Sequence, residues 1–265
     1  MNIKYSISPE YGFLKDFILN MRRNFDGPAQ VLCRGRNVVK LFSVAKKEYV
    51  VKSFKKPGPP TSYIYSYLRK SKARRSFENS NVLLAKNINT PTPVAYIEFY
   101  SRSLLRESFY ISKYYGFDFD LRAFFGKSLL YPNTEKWPKI QNKNESIKQF
   151  VKFAFEAHNK GINHMDYTCG NVLIKKRTLK SYEFSLVDVN RVKFGALGAK
   201  ERVRSLSRVT DNQEELDLIA KYYGHFSGVD ERVCKKLLDK AVAKHKKYIA
   251  RKMCLKKFGA VGVVV

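Results

Sequence analysis

Between Ile147 and Ile174 the chain changes its period twice, and that change limits the folds open to it. Ile147, Phe150, Val151, Ala154, Phe155 and His158 recur at i, i+3, i+4, i+7, i+8 and i+11, the spacing of an amphipathic helix. Gly161 is a stop for that helix. The polar turn His164-Met165-Asp166-Tyr167-Thr168-Cys169-Gly170-Asn171 follows and runs straight into the apolar strand Val172-Leu173-Ile174. A second strand, Phe184-Ser185-Leu186-Val187, comes after a turn around Arg177–Tyr182 and ends at Asp188. A polar loop held between a packed helix and a strand can fix side chains in space. This one carries an aspartate, an asparagine five residues later, and a further aspartate at the end of the next strand.

The first half of the chain has a different character. Val31-Leu32, Val38–Phe42 and Tyr49–Phe54 are β-branched or aromatic runs separated by Arg34-Gly35-Arg36-Asn37 and Ala45–Glu48, so they read as strands. Pro57-Gly58-Pro59-Pro60 ends that segment, and a helical region is expected over roughly 61–87. After Pro91-Thr92-Pro93, two more strands are expected at Val94–Tyr100 and Ser108–Tyr114. Residues 126–144, with Pro132 and Pro138, read as irregular, and from about 199 the chain reads as helical, ending in a lysine-rich helix over 230–257. The expectation is an α+β chain in two lobes: a small β-rich lobe with one main helix, residues 1–113, and a larger, mostly helical lobe, residues 114–265.

Charge bounds the partners. The chain has 51 Lys and Arg against 23 Asp and Glu, a formal +28, and such a field attracts polyanions: nucleic acid, anionic lipid head groups or phosphorylated glycans. No RRM, KH, zinc-finger or helix-turn-helix signature accompanies it, so no specific nucleic acid partner is expected. Cys33, Cys169, Cys234 and Cys254 are scattered without C-x-x-C pairs, which fits a reducing compartment and no structural metal. No apolar run reaches membrane-spanning length, and the apolar tail 259–265 is short. The segment 231–258, with eleven basic and two acidic residues, has two readings: a helix lying on an anionic membrane surface, or a solvated helix packed by a narrow apolar stripe.

The spacing of polar residues fits phosphoryl transfer from ATP, which needs phosphates held still, Mg²⁺ to neutralise charge, and an acceptor hydroxyl aimed in line. Asp166 can orient the hydroxyl and take its proton. Asn171 and Asp188 offer the hard oxygen ligands that Mg²⁺ prefers. Lys52, late in a strand, can reach the ATP phosphates. Glu78 is the first acid after Glu48, with eight basic residues between them, and is the expected carboxylate partner of Lys52. Gly35 and Arg36 lie in the turn that could cover phosphates, although no G-x-G-x-x-G is present. His164 is expected to organise the loop rather than to carry protons.

These residues resemble the protein-kinase-like superfamily, and more closely its lipopolysaccharide core kinases, the Kdo and heptose kinases. The resemblance rests on Ser71–Asn79 with Pro91–Tyr96, on Gly161–Ile174, and on Leu186-Val187-Asp188-Val189-Asn190-Arg191. It spans about Arg34 to Tyr223. It implies a two-lobed kinase-like fold, with Asp166, Asn171 and Asp188 as catalytic residues, Asn171 and Asp188 on Mg²⁺, and Lys52, Glu78, Gly35 and Arg36 on ATP. The implied activity is phosphorylation of a sugar hydroxyl of an anionic glycolipid, the lipid A–core, at the cytoplasmic face of the inner membrane. Many relatives carry Gly where Met165 stands, and no A-P-E-like segment follows Asp188, which argues against a protein acceptor. The alternatives are a kinase for another small-molecule or protein substrate, or an inactive kinase-fold module that binds anionic glycolipid or nucleic acid.

Overall fold

The structure, a computed structural model, describes residues 2–125, 138 and 140–260, with side chains to residue 251. Most of the stretch expected to be irregular over 126–144, and residues 261–265 of the apolar tail, lie outside the described residues. The chain divides into two compact units. One runs to Gly116 and takes in Ser185–Arg191; the other holds Phe117–Phe184 and everything from Val192 onward.

The first unit is built on a six-stranded antiparallel sheet. In chain order its elements are β1 (Asn2–Ile7), α1 (Lys15–Leu19), α2 (Met21–Asp26), β2 (Gln30–Arg34), β3 (Val38–Val44), β4 (Lys47–Ser53), α3 (Pro59–Tyr63), α4 (Lys72–Ala85), β5 (Pro93–Ser101) and β6 (Leu104–Lys113). The strands lie in the order β1-β5-β6-β4-β3-β2. Two hairpins turn on two residues each: Ala45-Lys46 between β3 and β4, and Arg102-Ser103 between β5 and β6. All four residues have positive φ, from 48° to 60°, the backbone that a tight hairpin needs if its twist is to match its strands. At the open edge, β2 is exposed along its whole length, and its pairing with β3 shifts register between Val31 and Cys33.

Side-chain alternation splits β5 between two apolar clusters. Ala95, Ile97 and Phe99 join Leu14, Ile18, Met21, Tyr49, Val51 and Ile111 in the main core, where the short helices α1 and α2 cover the sheet. Tyr96, on the alternate side of the strand, packs with Phe54, Ala73 and Phe77 under α4. The helical region expected over 61–87 is not continuous. After α3 a π-helical turn spans Ile64–Leu68, Arg69 is extended, and α4 restarts with the Ser71 hydroxyl accepting the Arg74 amide at 3.1 Å.

In the second unit the elements are β7 (Phe119–Asp120), α5 (Lys143–Asn159), β8 (Ile162–Asn163), β9 (Val172–Lys176), β10 (Tyr182–Leu186), β11 (Lys193–Phe194), α6 (Ala199–Ser205), α7 (Gln213–Ser227) and α8 (Glu231–Ala260). Helix α5 is the amphipathic helix that the spacing predicts, capped by Asn142, whose Oδ1 accepts the Glu145 amide at 3.1 Å. Its buried Phe150 meets Phe125, Tyr167 and Phe184 ring to ring. The basic C-terminal segment forms α8, and it carries the narrow apolar stripe expected of a packed helix. Cys234, Leu238 and Val242, spaced four apart, are buried on one stripe of α8, which packs against α7. Lys235 pairs with Asp217 and Asp239, and Lys246 with Asp211. Among the described residues, no helix is long and apolar enough to cross a membrane.

One turn sets where the polar loop begins. Gly161 ends α5 at φ +71°, and a Cβ there would lie 2.8 Å from the Gly195 carbonyl oxygen, whose own amide donates to the Gly161 carbonyl at 2.9 Å. Gly161→Ala therefore adds left-handed strain and a backbone clash, and should lower unfolding free energy by about 2 kcal/mol or more in urea denaturation. Gly170→Ala is the control. Its site is open and not left-handed, so a change within about 0.5 kcal/mol is expected.

Candidate active site

The loop His164–Asn171 is tied down at nearly every residue. His164 is fully buried, and its Nδ1 accepts the Asp166 amide at 3.3 Å, so its ring shapes the loop as expected. Tyr167 is buried between the rings of Phe150, His158 and His164. The Cys169 thiol donates to the Val209 carbonyl at 3.1 Å. Backbone bonds from Thr168 to Asp166 and from Asn171 to Thr168 close the turn. Asn171 Nδ2 donates to the Asp166 carbonyl at 2.9 Å, which orients the side-chain amide. The Asp166 carboxylate itself accepts from Arg208 Nη1 at 2.6 Å. That partner was not foreseen, because Arg208 stands 42 residues downstream in a run of basic residues with no pattern to single it out.

Asp188 and Lys52 meet in the first unit. Lys52 is in β4, opposite Val39 of β3 and Tyr110 of β6, and its Nζ donates to Asp188 Oδ1 at 2.8 Å. Asp188 has φ +56°, a conformation that Asp tolerates better than most residues. Its carboxylate also accepts from Asn190 Nδ2 at 2.5 Å. Helix α4 holds the segment from behind: Asn79 Nδ2 donates to the Val189 carbonyl at 2.8 Å, and Arg75 Nη1 to the Asn190 carbonyl at 2.7 Å.

The expected Lys52–Glu78 pair is corrected. Glu78 accepts from Lys70 at 2.8 and 2.9 Å and from Arg74 at 2.9 Å, while Lys52 is committed to Asp188. Helical phase explains this. Lys72, Arg75 and Asn79 share one face of α4, and Glu78 stands about 100° round from Asn79, on the side of Arg74. The two cations hold Glu78 below the usual carboxylate range against the opposing effect of burial.

Around Asp188 the charge is strongly positive. Burial lowers the Lys72 ammonium pKa, and the nearby charges of Arg36, Arg191 and Arg75 lower it further, opposed by Asp188. Arg36, in the β2–β3 turn, thus joins this cluster. Gly35 does less: its amide already donates to the Asn37 carbonyl at 3.1 Å. Lys72 was missed, since one lysine among eight basic residues gives no signal until the helix phase is known.

This donor set fits Mg²⁺ and a polyphosphate. Among the described residues there is no group of three or more His, Cys, Asp or Glu side chains suited to a metal. Within the first unit the fitting chemistry is instead one carboxylate, Asp188, a hard oxygen donor of the kind Mg²⁺ takes beside phosphate oxygens. Cations crowding a single carboxylate suit an anion of several charges.

By fold the chain is α+β and two-lobed, of the protein-kinase-like class. It is similar to a solved structure described as WaaP in complex with acyl carrier protein, with a TM-score of 0.59 and 16% identity over 91% of this chain and 98% of that one. Because 818 solved chains match, the likeness defines a widely shared fold rather than one activity. No family model and no curated protein matches the sequence.

Behind the loop, His158 is fully buried, with its ring nitrogens on the hydroxyls of Tyr223 at 2.9 Å and Ser205 at 3.0 Å. Burial, and then the charge of Arg202, push it down to about 3. Below the ordinary imidazole value the unfolded chain takes up a proton that folded His158 refuses. Its contribution to stability is therefore complete above about pH 6.5 and falls with pH by up to about 1.4 kcal/mol per unit. Urea midpoints at pH 7 and pH 5 should separate more for the wild type than for His158→Gln; equal separations would remove His158 from acid sensitivity.

Proposed function

We propose that this chain is an ATP-dependent kinase that phosphorylates a sugar hydroxyl of the lipopolysaccharide core. The observation that carries the reading is Asp188: a carboxylate in left-handed backbone, held by Lys52, propped by α4 and surrounded by cations. Lys52, Lys72 and Arg36 bind and neutralise the phosphates. Asp188 and Asn171 would hold Mg²⁺, which supplies charge neutralisation on the transferring phosphoryl group. Asp166 takes the acceptor's proton as the acceptor oxygen bonds to the γ-phosphorus and the bond from that phosphorus to the ADP oxygen breaks. Glu78 acts at one remove, by fixing Lys70 and Arg74 on α4. The acceptor class is supported by the fold shared with WaaP and by a net charge of +28, which suits an anionic glycolipid at the inner membrane's cytoplasmic face. Kdo and heptose are both admissible sugars.

Thermal denaturation with and without Mg·ATP tests the nucleotide half. The wild type should melt several degrees higher with Mg·ATP, and Asp188→Ala should lose most of that shift; a wild type that does not respond would defeat the assignment. Asp166→Ala should keep the shift while transfer falls by about 10²–10⁴-fold. Mass spectrometry of core oligosaccharide from cells with and without the protein tests the acceptor. Loss of one phosphate is expected, and an unchanged core would exclude this substrate.

A further inference from the structure

A cavity of about 390 Å³ opens beside the loop, wholly within the second unit. Its walls come from Met165, from α6 and the 3₁₀ turn after it (Arg204, Arg208), and from α8 (Lys244, His245, Tyr248). Three features set it apart from an ordinary surface cleft. First, it adjoins the proposed base, because Met165 precedes Asp166 and Arg208 binds its carboxylate at 2.6 Å. Second, Arg204, Arg208 and Lys244 outweigh the one wall carboxylate, Glu201, which accepts the Gly198 amide at 3.4 Å. Third, Asn163 lines the cavity, is only 5% exposed, and its Oδ1 is buried with no hydrogen-bond partner among the described residues. His245 senses the same neighbourhood: burial and Arg208 hold it below the ordinary imidazole value, against the pull of Asp166.

We propose that this cavity is the acceptor subsite and that it binds a sugar through an anionic substituent, a phosphate or carboxylate, held by Arg204, Arg208 and Lys244. The proposal rests on the reading of Asp166 as the base. Arg208 bridges the two functions, tying the acceptor's anion to the side of the carboxylate that receives its proton. Arginine suits that role, since its planar fork can serve two anions at once. Helix α8 then supplies a wall of the acceptor site, which gives a basic helix a task close to the chemistry.

The probe is tungstate, a phosphate mimic, titrated calorimetrically into the full chain with and without saturating Mg·ADP. The wild type should bind it, and Arg204→Ala/Lys244→Ala should bind it at least about tenfold more weakly, with Mg·ADP affinity retained. With core glycolipid as substrate, the same variant should raise the acceptor KM at least about tenfold while kcat changes little. Tungstate bound equally by wild type and variant, or an unchanged acceptor KM, would overturn the proposal. Lys244→Gln, on an exposed helix face, carries the test if the double variant fails to fold. The arm without nucleotide separates the two readings. Variant-sensitive tungstate binding in a chain that ignores Mg·ADP would keep an anion site and remove the kinase assignment.

Discussion

The ion pair between Lys52 and Asp188 is the contact around which the first unit is organised. It joins a central strand, β4, to a segment that the chain reaches 136 residues later. That segment, Ser185–Arg191, belongs to the first unit although the chain on either side of it belongs to the second. Its membership is explained by bonds on both flanks. The Asn89 carbonyl receives the Leu186 amide, Thr90 donates to the Leu186 carbonyl, and α4 supplies Arg75 and Asn79. Without those partners, Asp188 would have little reason to hold a left-handed backbone, a conformation that costs roughly 1–2 kcal/mol.

The second unit solves a different problem: how to fix a polar loop without burying unpaired charge. A fully buried histidine, a buried tyrosine ring and a thiol bond to Val209 supply the fixing, while the charged group, Asp166, stays partly exposed beside Arg208. Rigidity of this kind is what the proposed role of Asp166 would call for, since in positioning catalysis a displacement of about 1 Å can cost about 10²-fold in rate.

Much of this was legible in the chain. Periodic spacing located α5, while β-branched, aromatic or apolar runs bounded by turn residues located the strands β3 to β6 and the pair β9 and β10. The loop could be placed because those elements bracket it. Two kinds of feature were not legible. Residues 2–26 form a strand and short helices whose apolar residues make sense only against the sheet they cover. The partners of charged groups also stayed hidden: with 51 basic residues against 23 acids, sequence order says little about which cation a carboxylate meets. Glu78 shows this most clearly. The absence of acids between Glu48 and Glu78 pointed to Lys52, whereas helical phase delivered Lys70 and Arg74.

The exposed strand β2 has a consequence of its own. An open sheet edge offers unpaired amides and carbonyls to any other chain, and Val31 and Leu32 on it are exposed apolar residues. The register shift between Val31 and Cys33 breaks the regular spacing that a second strand would need, and Arg34 puts a charge at its end. The irregularity in β2 thus acts as a guard against edge-to-edge aggregation. Straightening it by deleting one residue would be expected to favour self-association before it disturbed any chemistry.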